Sequence, residues 1–197
     1  MKYGELNLGQ IEAIVNRIGG MDGVQRFLSG ELILKEIEYE WQVFKTIKLG
    51  TGLKTADDFR KSLKDNGFSI GDWANDILGK SQFTVATKET KIDLVVISVA
   101  ELGFKNGATR EQIYTRAKER GLDLCPAEVG PQLRLQYKDQ PNGEVLIVAM
   151  EPISGSDGVL RLFSVLRRDS DMWLCSYYGG PDDVWYSDDR FVFSRRK

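Results

Sequence analysis

Near the start of the chain, apolar residues recur three and four positions apart. Ile11, Ile14, Val15 and Ile18 fall on one face of a helix over residues 7–18, with Asn7 at the cap and Gln10 at the capping-box spacing. Gly19-Gly20 ends that helix, and residues 23–29 predict a second, short one that turns Val24, Phe27 and Leu28 toward the same core. Residues 32–47 are ambiguous: Leu34, Ile37 and Trp41 suit a helix, whereas 43–49 alternates like a strand. Residues 55–66 read as a helix opened by the acidic capping box Thr55/Asp58, with Phe59 and Leu63 paired at i,i+4 and Gly67 beyond its end. Ser69 and Asp72 repeat the opening signal for a helix carrying Trp73, Ile77 and Leu78. The two form an expected helical hairpin, read as scaffold because its second helix is not basic. The polar, threonine-rich residues 80–91 read as a linker between subdomains.

Residues 92–102 are apolar nearly all round. Their valines favour a strand and 98–102 leans helical, so both states stay open at this point. Thr109-Arg-Glu-Gln112 opens a helix over 110–120, closed by Gly121. After a short turn, Pro126-Ala-Glu starts another helix that runs through Tyr137. Two helices, a glycine-containing turn and then apolar strands over 144–150 and 160–166 resemble, over residues 92–166, a winged helix-turn-helix. The resemblance implies that the last helix enters the major groove. Arg110, Arg116, Gln132, Arg134, Gln136 and Lys138 would then bind nucleic acid, the arginines holding phosphates and the glutamines reading base edges. Three features oppose it: Pro131 inside the recognition helix, Glu128 at its start, and an acidic wing. Winged helices also dock proteins, which keeps a protein partner open.

From Gly143 the chain reads as an antiparallel meander, with apolar runs over 145–150, 160–166, 172–178 and 190–194 separated by turn signals. The acidic pairs Asp169/Asp171, Asp182/Asp183 and Asp188/Asp189 sit in those turns and read as solvated turn formers rather than a calcium loop. Trp173, Tyr177, Tyr178, Trp185 and Tyr186 are read as the core of the sheet, with base stacking or a ligand cleft as the alternative. Arg195-Arg196-Lys197 reads as a solvated basic tail.

Composition narrows the chemistry. There is no histidine among 197 residues, and the two cysteines, Cys125 and Cys175, form no metal-binding spacing. The default general base, the commonest metal ligand and every histidine-activated nucleophile are therefore missing, and no catalytic residue, metal or cofactor is expected. Net charge is −2, unevenly spread: residues 105–138 carry seven bases against four acids, and 139–197 seven against ten. Lys2, Glu5, Asn7 and Gln10 interrupt any secretory apolar run, and the longest apolar run, 94–100, is too short for a membrane span. A cytoplasmic protein with reduced thiols is the expectation.

Three stretches, Lys48-Leu-Gly-Thr-Gly-Leu-Lys-Thr-Ala-Asp-Asp-Phe-Arg-Lys61, Asp72-Trp-Ala-Asn-Asp-Ile-Leu-Gly79 and Leu124-Cys-Pro-Ala-Glu-Val-Gly-Pro-Gln-Leu-Arg-Leu-Gln-Tyr137, are similar to a recurrent group of bacterial proteins of unassigned function. That resemblance implies a bacterial source and carries no functional residues across. Together the patterns predict an α+β protein: a helical N-terminal part over 1–80, then 92–197 as a winged-helix-like middle leading into an antiparallel β-meander. The expected function is a non-enzymatic cytosolic binding protein, a DNA-binding regulator of winged-helix type that takes duplex DNA. A protein–protein adaptor is the alternative, and a carboxylate-dependent enzyme built on the acidic loops the third reading. The oligomeric state is not set by the sequence.

Overall fold

A computed structural model of the protein describes residues 7–33 and 40–196; Lys2, Glu5, Leu34, Ile37 and Lys197, read above, lie outside them. The chain divides into two units, Met1–Glu38 and Tyr39–Lys197. Residues 80–91, expected as a linker, lie inside the second unit.

In the first unit, α1 (Leu8–Arg17) opens with the capping box read from the sequence. The Asn7 side chain accepts from the Gln10 N–H, and the Gln10 side chain accepts from the Asn7 N–H, each at 2.9 Å. Helix α2 (Gly20–Leu28) follows Gly19, whose φ of 100° is left-handed. At the corner, a Cβ on Gly23 would fall 1.7 Å from the Ile18 carbonyl oxygen, so only glycine lets the helices meet there.

The second unit runs β1 (Lys45–Leu49), α3 (Ala56–Asp65), β2 (Ser69–Ile70), α4 (Asp72–Leu78), β3 (Thr90–Ser98), β4 (Ala108–Thr109) and α5 (Arg110–Glu119). It continues through β5 (Leu122–Asp123), α6 (Val129–Gln136), β6 (Val145–Val148), β7 (Ile153–Ser154), β8 (Leu160–Arg168), β9 (Asp171–Tyr178), β10 (Val184–Trp185) and β11 (Arg190–Arg195). Nine strands form one sheet in the order β1-β3-β11-β6-β8-β9-β2, with β5 on β11 and β7 on β8; β4 and β10 form a separate ladder. The pairs β6–β11 and β2–β9 are parallel and the other strand pairs antiparallel.

This mixed α/β sheet overturns the α+β reading of a helical N-terminal part, a winged-helix-like middle and an antiparallel meander. Strands β1 and β2, both from the first 80 residues, close the two ends of the sheet. Residues 92–98 belong to β3, where Leu94, Val95 and Ile97 are buried, because an apolar run covered on both faces needs no alternation. Between α3 and α4 the expected hairpin turn is instead β2, a two-residue strand too short to show any period, and Gly71 takes the cap position without a side-chain bond. The parallel meeting of β6 with β11 is a long-range pairing that no meander contains.

Helix α6 is the centre of the second unit, packed against β1, β8, β9 and α3. Six of its residues, Val129 to Arg134, are buried. Pro131 costs the helix no backbone bond, because the helix starts at Val129 and proline falls in the first turn, where the backbone N–H lacks an intrahelical partner. A Cβ on Gly130 would lie 2.6 Å from both Cβ and Cγ of Phe163 on β8. Replacing a helical glycine by alanine ordinarily gains up to about 1 kcal/mol. Here the added methyl meets atoms next to the β8 backbone, which cannot swing away, and overpacking of this kind costs about 1–3 kcal/mol. Gly130→Ala is therefore expected to lower the urea midpoint with an unchanged m-value; an unchanged or higher midpoint would contradict the close approach.

Candidate functional site

The structure does not bring the six residues expected to bind nucleic acid onto one open surface; only Lys138 among them is exposed. Arg110 lies 5.0 Å over the Tyr114 ring and donates to the Gly180 carbonyl. Arg116 pairs with Glu119 at 3.0 Å and covers Phe104. Lys138 reaches the Asn66 side-chain oxygen at 3.3 Å. Arg134 is fully buried: it donates to the carbonyls of Tyr137 and Leu166 and to the Gln140 side chain, and it stacks on Phe68. Burial pulls its pKa down to about 10, so it stays charged at neutral pH.

Gln132 and Gln136, expected at base edges, instead form a ladder with Glu128 along one face of α6. Gln136 donates to the Gln132 side-chain oxygen and Gln132 to Glu128, each at 3.0 Å. Gln132 also donates to Thr51 Oγ1 at 2.8 Å. The Gln136 amide accepts from the Lys48 N–H at 2.9 Å and donates to the Lys48 carbonyl at 2.8 Å, pairing the outer edge of β1 as another strand would. Glu128, 1% exposed, accepts from the Gly50 N–H on Oε1 and from the Ala86 N–H on Oε2, each at 2.8 Å. Glu128→Gln would turn one of those acceptors into a donor and leave a buried N–H without a partner. The expected loss is about 1–3 kcal/mol in chemical denaturation, and no loss would remove Glu128 from this bracket.

The open site is on the sheet. Register sets Ile97, Phe191, Ile147, Ser164 and Cys175 in one row across β3, β11, β6, β8 and β9. Tyr114 from α5 and Trp185 from β10 cover the Phe191 end of this row, with ring centroids at 6.4 and 4.9 Å. The cover stops at Tyr177, 5.8 Å from Trp185. There a groove of about 390 Å³ opens, lined by Tyr177, Tyr178, Asp183, Trp185, Tyr186 and Asp189. A second cleft of about 540 Å³ shares Tyr177 and Asp189 and continues to Glu144 and Arg190. Tyr178 and Tyr186 are 64% and 76% exposed, with Val184 beside them at 69%. The aromatic cluster expected as core is thus divided: Trp185 is buried, Trp173 is half-buried, and Tyr177, Tyr178 and Tyr186 are exposed.

Between Tyr177 and Asp189 there are four aspartates and no base. Asp183 and Asp189 each spend one oxygen on the turns, accepting from the Gly180 N–H at 2.6 Å and the Tyr186 N–H at 2.7 Å. Burial, reinforced by the neighbouring Asp188 charge, holds the Asp189 carboxyl above the usual range, and burial likewise raises the Tyr177 hydroxyl. Glu144 accepts from the Tyr137 hydroxyl at 2.7 Å and from Arg190 at 2.8 Å. Periodicity could not find this groove; the signal the sequence carried was the concentration of aromatics and aspartates over 177–189. Among the described residues no three His, Cys, Asp or Glu side chains group to hold a metal ion, and no helix is long and apolar enough to cross a membrane.

A second polar cluster ties the loop after β7 to α4. Asp76 accepts from the Ser156 N–H at 2.7 Å and the Ser156 hydroxyl at 2.5 Å, and pairs with Lys80 at 3.0 Å. Arg161 holds Asp157 through two 2.7 Å bonds and stacks 3.7 Å over Trp73. The Ser156 proton already points at a carboxylate and its oxygen accepts from Lys80, so the hydroxyl is a clamp and not an activated nucleophile. No family model, curated protein or solved structure matches the chain.

Hydrogen bonds from Ser156 lower the Asp76 pKa from 3.8 to about 2, and Arg161 does the same for Asp157. Carboxyls bound in the folded state below their unfolded pKa stabilise the fold above pH 3.8, and that contribution is lost as pH falls toward 2. Acid titration should therefore loosen the 154–158 loop across that window. Hydrogen exchange of the Ser156 N–H reports it, and Asp76→Asn should weaken its dependence on pH; a dependence unchanged in the variant would contradict the assignment.

Proposed function

We propose that the protein is a non-enzymatic binding protein of the cytoplasm that takes a lysine- or arginine-bearing segment of a partner protein in the groove beside Trp185. The observation that carries the reading is the exposed set Tyr178, Val184 and Tyr186 standing next to Asp183 and Asp189. Tyrosine offers rigid, amphipathic contact area and is enriched at protein interfaces. A cation over an aromatic face is attracted by the ring, and a carboxylate alongside adds charge pairing. The run of four aspartates repels phosphate, so the groove favours a basic protein segment over duplex DNA. The two unpaired thiols, Cys125 and Cys175, support the cytoplasmic placement.

The test is fluorescence anisotropy of a labelled Lys/Arg peptide titrated with the full chain, beside an acidic peptide and a labelled duplex. The basic peptide should bind, and Tyr186→Ala or Asp189→Asn should each weaken it about fivefold, near 1 kcal/mol. Affinity should fall as pH drops, because the raised Asp189 carboxyl protonates early. Absence of peptide binding, or binding indifferent to both variants, would overturn the reading. Salt-sensitive duplex binding that is reduced in Lys138→Ala would replace it with a nucleic-acid function.

A further inference from the structure

The two ends of the nine-stranded sheet are finished differently. At one end, the Gln136 amide pairs the outer edge of β1. At the other, β2 covers β9 at Trp173 and Leu174 and no further. Hydrogen bonds fix which way the rest of β9 points its backbone. The Gly179 N–H donates to the Leu160 carbonyl at 2.8 Å, so Tyr177 and Cys175, at every second position before it, bond inward to β8. The Leu174 carbonyl points outward, where it accepts from the Gly71 N–H at 2.9 Å. Ser176 and Tyr178 share that outward phase. Among the described residues, no hydrogen bond reaches their N–H and C=O groups on that side.

This edge also lacks the usual guards. Exposed strand edges are normally blunted by lysine, proline or a bulge. Residues 175–178 include neither lysine nor proline, and the register with β8 runs unbroken from Arg161 opposite Tyr178 to Arg168 opposite Asp171. Two backbone donors and two acceptors are therefore left open beside the groove, whose wall Tyr177 and Tyr178 form. Resting on the groove reading above, we infer that the partner segment binds as an added β-strand on the outer edge of β9, along residues 176–178. It delivers its lysine or arginine from the residue opposite Tyr177.

Side chains directly opposite one another across a ladder share a face, with Cβ atoms about 5 Å apart. In either strand direction the residue opposite Tyr177 sits between the two bonded positions. Its side chain enters on the Tyr177 side, where Asp183 and Asp189 complete the groove. Backbone bonds thus hold the segment and set its register, and the groove reads one side chain in it. Charge selects the occupant. Residues 176–189 carry Asp182, Asp183, Asp188 and Asp189 and no lysine or arginine. Two copies pairing β9 edge to edge would bring both sets of aspartates together, whereas a basic segment neutralises one set. The occupant is a strand of another protein and not a second copy of this chain.

Hydrogen exchange of the full chain, read residue by residue by NMR with and without the Lys/Arg peptide, tests this. The Ser176 and Tyr178 N–H groups should exchange fast in the free protein and slow by at least about tenfold with saturating peptide, while those of Cys175 and Tyr177 change little. Ser176→Pro removes one outward donor and no bond to β8, so the thermal transition should hold while peptide affinity falls about fivefold. Failure of the peptide to bind at all would remove the groove reading and this inference with it. A peptide that binds, and is weakened by Tyr186→Ala, while Ser176 and Tyr178 exchange as in the free protein would overturn the added strand alone. So would a folded Ser176→Pro chain that binds as tightly as the wild type. Protection of both amides without peptide, rising with protein concentration, would assign the edge to a second copy and overturn the inference.

Discussion

The polar ladder on α6 is the constraint that the rest of the second unit is arranged around. Its three members satisfy backbone groups that no secondary structure reaches: the outer edge of β1 at Lys48 and the N–H groups of Gly50 and Ala86. A buried carboxylate without an ion-pair partner is costly unless its oxygens are occupied, and Glu128 meets that condition with backbone and amide donors. The ladder also explains how a helix bearing so many polar groups can lie in the core. One face is committed to the loops, and the opposite side buries Val129 and Leu133 with Gly130 against Phe163. Arg134 extends the same logic, since its guanidinium is met by carbonyl oxygens and an aromatic face rather than by an acid.

That arrangement shows why polar residues on an amphipathic helix are poor guides to a binding surface. Gln132 and Gln136 sit at the four-residue spacing that would serve base contacts, and the same spacing serves a hydrogen-bonded ladder. What separates the two is whether an unpaired strand edge lies opposite, and here β1 does. The residues that do face solvent together belong to the turns around β10. They combine two kinds of group that rarely share a core: tyrosine rings left uncovered and aspartates bound to their own turns.

Legibility followed the range of the interaction. The capping boxes at Asn7, Thr55 and Thr109 are local, and all three stand as the spacing predicted. The turn aspartates were equally readable, because an Asx-type bond needs only three residues. The sheet was not. Strand β2 is held by Leu174, a hundred positions away, and β6 and β11 pair across more than forty residues of chain. No periodicity in either segment encodes its partner. The winged-helix order failed for the same reason: the helices α5 and α6 exist, but the strands around them join a sheet whose other members lie far off in sequence. The groove was half legible, in that the aromatic concentration was plain and the line between core and surface was drawn only by where the β4–β10 ladder ends.

The position of β11 has a consequence for how the molecule comes into being. Strand β11, the last in chain order, lies between β3 and β6 in the middle of the sheet. Until residues 190–195 have left the ribosome, β1 and β3 on one side and β6, β8 and β9 on the other share no continuous ladder. From the emergence of β8 until that of β11, a growing chain therefore carries two unfinished sheet fragments with open edges, the state in which strand-edge aggregation is most favoured. A ribosome that stalls before this strand would release not a shortened version of the protein but two halves with nothing between them.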